Sequence, residues 1–392
     1  AMPYLKAIQE GKYTTRELDE KVRRVLVVGE NAIKMMTVGG GSSSLKVQKE
    51  ISPLQGLKER LGKDGIEVEY VRGYVGDVTG AYNGVTTGQN LEDKRSEAEL
   101  IAEAVAKAKT VDYVVMFGGL NKSDYQDCEG HDRQQYELPY AQNKLVTALA
   151  AANKNFVYVN ISGNAVAMPW KDKVPAIVQG WYLGSEAGDA LASVLTGDVN
   201  PSGKLPFTWV RSLQDVGAHA LNTYPGTWRL EGGAQTKGNI IDEEYKEGIY
   251  VGYRWADKKK QRPVFAFGHG LSYTQFAITN LKADKATMTA NDSISFTVQV
   301  KNIGQRAGSE IVQLYVHDVK ASVDRPLKEL KGFQKVSLLP GESKDVTITL
   351  GKDALSFYDE TSAAWKAEAG QFEAWVGNAS DNLKLKKTFE LK

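Results

Sequence analysis

At 392 residues, 42% apolar and 25% charged, the chain is long enough for two or three globular domains, each burying its own core. Its 49 Lys plus Arg stand against 48 Asp plus Glu, leaving no basic surplus to neutralise phosphates and no acidic block, so neither nucleic acid nor anionic membrane is an expected partner. No stretch approaches the about eighteen apolar residues of a membrane helix, residues 1–25 lack the charged-then-apolar pattern of a secretory leader, and the one cysteine, Cys128, excludes an internal disulfide.

The chain opens on a helical pattern, in which Thr14 and Glu17 have capping-box spacing and Leu18, Val22 and Val25 recur on one face. That pattern runs straight into Val25–Val28, a buried-strand signal, with no turn residues between, an abrupt junction that suggests a missing segment. From 25 to 210, β-branched runs alternate with longer helical patterns. Strands are predicted at Val25–Val28, Ile66–Tyr70, Tyr113–Phe117, Phe156–Asn160 and Ala176–Gln179, and helices at Ser52–Leu61, Ser96–Ala108, Leu138–Ala152 and Gly184–Thr196. Such alternation predicts right-handed crossovers and a mostly parallel α/β sandwich, with functional loops beyond the carboxyl ends of its strands.

Residues 211–275 are rich in Gly, Tyr, Trp and Pro with little periodicity, which reads as an ordered connection. From 276 to 392 alternating runs at Ser293–Val300, Glu310–His317, Lys344–Leu350 and Gln371–Val376, separated by Gly, Pro, Asn and Asp, predict a small antiparallel, all-β sandwich.

Three segments carry chemistry to weigh. Gly39–Ser44 pairs flexible glycines with hydroxyls, but its spacing matches no nucleotide-binding pattern, so a sugar-side loop is the better reading. Asp127-Cys128-Glu129-Gly130-His131-Asp132-Arg133 lies beyond the strand Tyr113–Phe117, where a loop can present a carboxyl to a cleft as a general acid. The same residues are equally readable as a solvated loop in which Asp132 and Arg133 form an ordinary ion pair. Cys128 and His131 do not amount to a closed zinc site, which needs four ligands when the other histidines, His219, His269 and His317, are scattered. No cofactor and no metal is expected. The aromatics of Tyr245–Trp255 and Phe265–Tyr273 could stack on sugar rings, although packing between domains accounts for them more simply.

Phe267-Gly268-His269-Gly270-Leu271-Ser272-Tyr273 resembles the FGHGLSY signature of glycoside hydrolase family 3, the β-glucosidase and β-xylosidase family, and Glu247–Arg254 resembles its EGI(F/Y)VGYR element. Asn200–Pro206, Gly163-Asn164-Ala165-Val166 and Asp324–Phe333 are similar to further family patterns, so the resemblance spans nearly the whole chain. It implies a barrel-exit helix or linker at 1–24, the α/β sandwich at 25–210, an ordered linker at 211–275 and a fibronectin type III-like domain at 276–392. The family's acid/base, when it sits in the α/β domain, occupies a loop resembling Glu-Gly-(Tyr/His/Phe)-Asp-Arg. Glu129 matches that position, with His131, Asp132 and Arg133 as substrate-binding residues, and Glu137 and Glu97 are the fallbacks.

The resemblance further implies a retaining β-glucosidase acting on β-glucoside oligosaccharides, periplasmic or secreted, whose aspartate nucleophile belongs to a (β/α)8 barrel outside this chain. A β-xylosidase, or a non-catalytic carbohydrate-binding or assembly module, stands as the alternative. Glu129's pKa is expected to rise when a sugar face and the barrel close over it. The surface that packs on the barrel is expected to be apolar, with self-association as its consequence.

Overall fold

The computed structural model describes residues 22–37, 45, 47–76, 81–82, 85–86, 88–129, 131–231, 233–235 and 240–392. The helix expected ahead of Arg24 and the Gly39–Ser44 loop lie outside the described residues. The chain divides into two compact units, Ala1–Val199 and Asn200–Lys392.

In the first unit, β1 (Arg24–Val28), β2 (Glu67–Val71), β3 (Tyr113–Gly119), β4 (Phe156–Ile161) and β5 (Ala176–Gln179) form one sheet in the order β2-β1-β3-β4-β5, every pairing parallel. Strands covered on both faces need apolar residues at every position rather than at alternate ones. The fully buried runs Leu26-Val27-Val28 and Phe156–Val159 answer that requirement. The connecting helices are α1 (Pro53–Gly62), α2 (Glu97–Ala108), α3 (Gln142–Ala152) and α4 (Ala187–Thr196).

Local chemistry fixes where these helices begin. Ser52 caps α1 by accepting from the Gln55 amide at 3.2 Å, with Pro53 in the first turn. Ser96 and Glu99 make a reciprocal capping box on α2. Two helices start later than the apolar pattern suggests. Tyr140 and Ala141 hold left-handed φ values of 58° and 56°, which delays α3 from Leu138 to Gln142, and Gly184 at φ 78° delays α4. Helices α1 and α4 pack so closely that a Cβ on Gly56 would stand 2.2 Å from the Gly188 carbonyl carbon.

β3 runs two residues beyond the predicted strand because Gly118 and Gly119 pair with Asn160 and Ile161 instead of turning. Gly119 has φ 116°, and a Cβ there would lie 2.2 Å from the Ile161 carbonyl oxygen. Gly119→Ala therefore combines a left-handed backbone with a backbone clash. It is expected to destabilise this unit by on the order of 3 kcal/mol, read as a lower urea midpoint at unchanged slope.

In the second unit, β6 (Phe276–Ala283), β7 (Ser293–Asn302) and β10 (Ser343–Gly351) make one sheet in the order β6-β7-β10. The other sheet contains β8 (Gly308–Asp318), β9 (Glu329–Leu338), β11 (Gly370–Gly377) and β12 (Leu385–Leu391) in the order β12-β11-β8-β9, edged by the short strand Thr287–Met288. Alternate residues of β7 and β10 (Ile294, Phe296, Val298, Val300; Val346, Ile348, Leu350) meet Val312, Leu314, Phe372, Ala374 and Phe389 in one core. On the outer face hydroxyls pair across strands, as Thr297 and Thr347 do at 2.8 Å.

Residues 200–275 hold short helices, Gly217–Ala220 and Tyr253–Lys258, and two-residue strands such as Thr227–Trp228. Their aromatics mostly pack. Trp209, Tyr250, Trp255 and Tyr273 are buried, and Tyr253 meets Tyr315 edge-on at 5.7 Å while its hydroxyl accepts from the Leu330 amide at 2.9 Å. Tyr245 and Trp228 remain exposed.

Candidate active site

The strand order itself points to a location. The chain passes from β1 outward to β2 and then returns to the opposite side of β1 as β3, so loops leaving the carboxyl ends of β1 and β3 diverge. In open α/β sheets, ligands occupy the crevice at such a switch point. The loop from Leu120 to Ala141, which contains Glu129, leaves β3 at that edge.

Its two ends are fastened to the sheet. Gln142 is buried and grips Gly119, donating through Nε2 to the glycine carbonyl and accepting its amide, both at 2.8 Å. Asn31, after β1, donates to the Leu120 carbonyl at 2.9 Å. Within the loop, the Asp127 amide donates to the Asn121 carbonyl at 3.0 Å, and Gln126 bonds to the Tyr140 hydroxyl.

Asp127 is the hub. Its carboxylate accepts from the Gly163 amide at 2.7 Å, from Asn164 Nδ2 at 3.0 Å and from the Tyr182 hydroxyl at 2.9 Å. It thus joins the loop after β3 to those after β4 and β5. Arg133 adds a second tie to the β4 loop, donating from Nη2 to the Ala165 carbonyl at 2.7 Å, with Tyr136 5.5 Å from its guanidinium. Burial pushes the Arg133 pKa down, against the pull of Asp127, and its Nη1 is buried without a hydrogen-bond partner among the described residues. Burial likewise lowers the pKa of Lys122, whose ammonium lies 4.9 Å from the Tyr182 ring.

Between these ties Glu129 is left exposed, two residues beyond Asp127. His131 and Asp132 are also exposed, and the His131 ring stacks obliquely 5.0 Å from Tyr125. Arg133 instead works inward, as a brace for the loop. The fallback Glu97 is held by Lys144 at 2.9 Å in the first turn of α2, and Glu137 is exposed. Asp127, Gln142, Tyr182 and Lys122 were not singled out by sequence reasoning. Gly163-Asn164 carries only a family pattern in the sequence; in the fold it donates to Asp127.

Beside the loop, a cavity of about 20 Å³ is lined by Asn31, Lys34, Glu50, Trp181 and Tyr182 among others. It has room for one water, not for a pyranose ring.

Asp127→Ala removes all three acceptor contacts at once. If together they hold the loop by about 1.4 kcal/mol, local opening rises about tenfold. Trypsin cleavage after Lys122 should speed up correspondingly, with little change in global unfolding.

A parallel α/β unit of this topology, followed by a fibronectin-like β-sandwich, is the architecture of the C-terminal part of a glycoside hydrolase. The pattern of the glycosyl hydrolase family 3 C-terminal domain matches residues 18–253, and that of a fibronectin type III-like domain matches residues 310–380. The chain belongs to glycoside hydrolase family 3. It is 46% identical over 396 residues to a β-glucosidase of Bacteroides ovatus, covering 99% of this chain and 48% of that protein. A thermostable β-glucosidase B of Acetivibrio thermocellus is 39% identical over 371 residues, covering 94% and 45%. Among solved structures, a family 3 β-glucosidase of Bifidobacterium adolescentis superposes with a TM-score of 0.77 at 34% identity, covering 94% of this chain and 49% of that one. The chain therefore spans about half the length of the relatives it matches.

Proposed function

We propose that this chain supplies the proton donor of a retaining β-glucosidase, Glu129, to a nucleophile carried by a (β/α)8 barrel outside it. In that reaction an aspartate of the barrel attacks the anomeric carbon while Glu129 protonates the departing glycosidic oxygen. Glu129, now a carboxylate, then takes a proton from the water that releases the sugar. Retention needs the two carboxyls about 5–5.5 Å apart, so the donor must sit on a loop that can face a second domain.

The observation that carries the reading is the loop itself, pinned by Asp127 and Arg133 while leaving Glu129 exposed at the switch-point edge. Two fixed anchors around an exposed carboxyl hold a general acid in register without burying it. The kinship to β-glucosidases of Bacteroides ovatus and Acetivibrio thermocellus favours a terminal β-glucosyl substrate.

The test is p-nitrophenyl β-glucoside hydrolysis by the chain alone and by the chain mixed with the separately expressed barrel of a family 3 relative. No turnover by the chain alone, and turnover on mixing, is the expected result. Robust turnover by the chain alone would overturn the two-domain division of the catalytic pair.

A further inference from the structure

The loop bearing Glu129 also gathers three metal-binding side chains. Asp124 Oδ1 lies 4.0 Å from Cys128 Sγ and 3.4 Å from His131 Nδ1, and the ligand atoms of the three all fall within 4.8 Å of one another. A tetrahedral Zn²⁺ with bonds of about 2.0–2.3 Å to N, O and S holds such atoms about 3.3–3.6 Å apart. The carboxylate and imidazole already have that separation at 3.4 Å. The sulfur must close by roughly half an ångström toward the Asp124 carboxylate, and a side-chain rotation of Cys128 on this surface loop is needed to bring it into range of both.

We propose that Asp124, Cys128 and His131 form a three-ligand site for a thiophilic divalent cation such as Zn²⁺ or Cd²⁺, its fourth position open to solvent. A thiolate with an imidazole selects such ions over Mg²⁺ and Ca²⁺, which want oxygen ligands alone. Access is direct. Asp124 and His131 are exposed and Cys128 is half-buried, so an ion can enter without opening the core. Tyr125 packs 5.0 Å from the His131 ring, limiting the orientations the imidazole can take.

The sequence conceals this arrangement because Cys-x-x-His on a loop carries no geometry, and only the folded loop brings Asp124 to complete the set. The site differs from a closed structural zinc, since nothing among the described residues supplies a fourth protein ligand. A bound ion would cross-link Asp124 to His131 on both sides of Glu129 and brace the loop. Any effect of that brace on glycoside cleavage rests on the proposed role of Glu129, but the metal site itself does not.

The experiment titrates the full 392-residue chain with Cd²⁺ while following the ultraviolet thiolate-to-Cd²⁺ charge-transfer absorption. One saturating equivalent is expected, displaced by Zn²⁺ and unaffected by millimolar Mg²⁺. The absorption should vanish in Cys128→Ser, and affinity should fall about tenfold or more in His131→Gln and in Asp124→Asn. All three positions lie on the surface loop, and near-ultraviolet circular dichroism checks that each variant keeps its fold. Unsaturable absorption, or an affinity in His131→Gln and Asp124→Asn equal to the parent's, would reduce the site to a lone thiol and overturn the proposal. As a second readout, Zn²⁺ should slow tryptic cleavage after Lys122 in the parent and not in Cys128→Ser. Equal rates with and without Zn²⁺ in the parent would overturn the brace. Both readouts are independent of hydrolysis, so a failure here is distinguishable from a failure of the glucosidase reading.

Discussion

In an enzyme completed by its barrel, Glu129→Gln is expected to lower kcat/KM about 10²- to 10⁴-fold on glucosides whose leaving group is a second sugar. A sugar alkoxide leaves poorly unless it is protonated as the bond breaks, so losing the proposed donor would raise the first barrier directly. A dinitrophenolate leaves without a proton, and its kcat/KM should change little. Its kcat should still fall, because the missing base slows hydrolysis of the glycosyl-enzyme. Azide, which needs no general base, should rescue turnover of the activated substrate in Glu129→Ala and release a β-glucosyl azide. Glu97→Gln provides the contrast. Its carboxylate is engaged by Lys144 at the start of α2, and near-parental kinetics are expected. Equal losses on both leaving groups in Glu129→Gln, or no azide product, would move the donor elsewhere.

The elements that sequence located best are those whose burial leaves a periodic trace. A strand covered on two faces shows as an unbroken apolar run, as Phe156–Val159 does, and β7 shows strict alternation because only one face meets the core. Ser52 and Ser96 marked the starts of α1 and α2 through local capping chemistry. The late starts of α3 and α4 were less legible because they depend on backbone dihedrals at Tyr140, Ala141 and Gly184. Strand order was not legible at all, although it is strand order that puts the Glu129 loop at a crevice. The position of that loop beyond β3 could be read from sequence, but its anchoring could not. The three partners of Asp127 lie 36, 37 and 55 residues away, and contacts at such separations leave no periodic signal. The aromatics between Tyr245 and Tyr273 were ambiguous for another reason. Stacking on sugars and filling a core call for the same residue types, and only burial tells them apart.

A second long-range cluster carries the largest expected effect on stability. Just beyond β1, Glu30 is fully buried, as are Lys34 and Arg72 almost completely. Arg72 Nη2 donates to Glu30 Oε2 at 2.7 Å and to the Leu91 carbonyl at the same distance, and the Gly76 amide donates to that carboxylate oxygen as well. The other oxygen, Oε1, makes no hydrogen bond among the described residues and lies 3.6 Å from Lys34 Nζ, an electrostatic contact. One carboxylate thus serves two buried cations. Glu30→Gln keeps the shape and removes the negative charge that the two buried cations share. The expected loss is about 3–5 kcal/mol in urea unfolding. Desolvation rather than attraction dominates such a cluster, so Glu30→Gln combined with Arg72→Met should lose less than the sum of the two single changes, by about 1–3 kcal/mol. Strict additivity would mean that the two side chains do not share one electrostatic environment. Asn31, the next residue, donates to Leu120 at the root of the Glu129 loop, so Glu30→Gln should also increase tryptic cleavage after Lys122. That coupling ties the hidden charge cluster to the exposed carboxyl through a single side-chain amide.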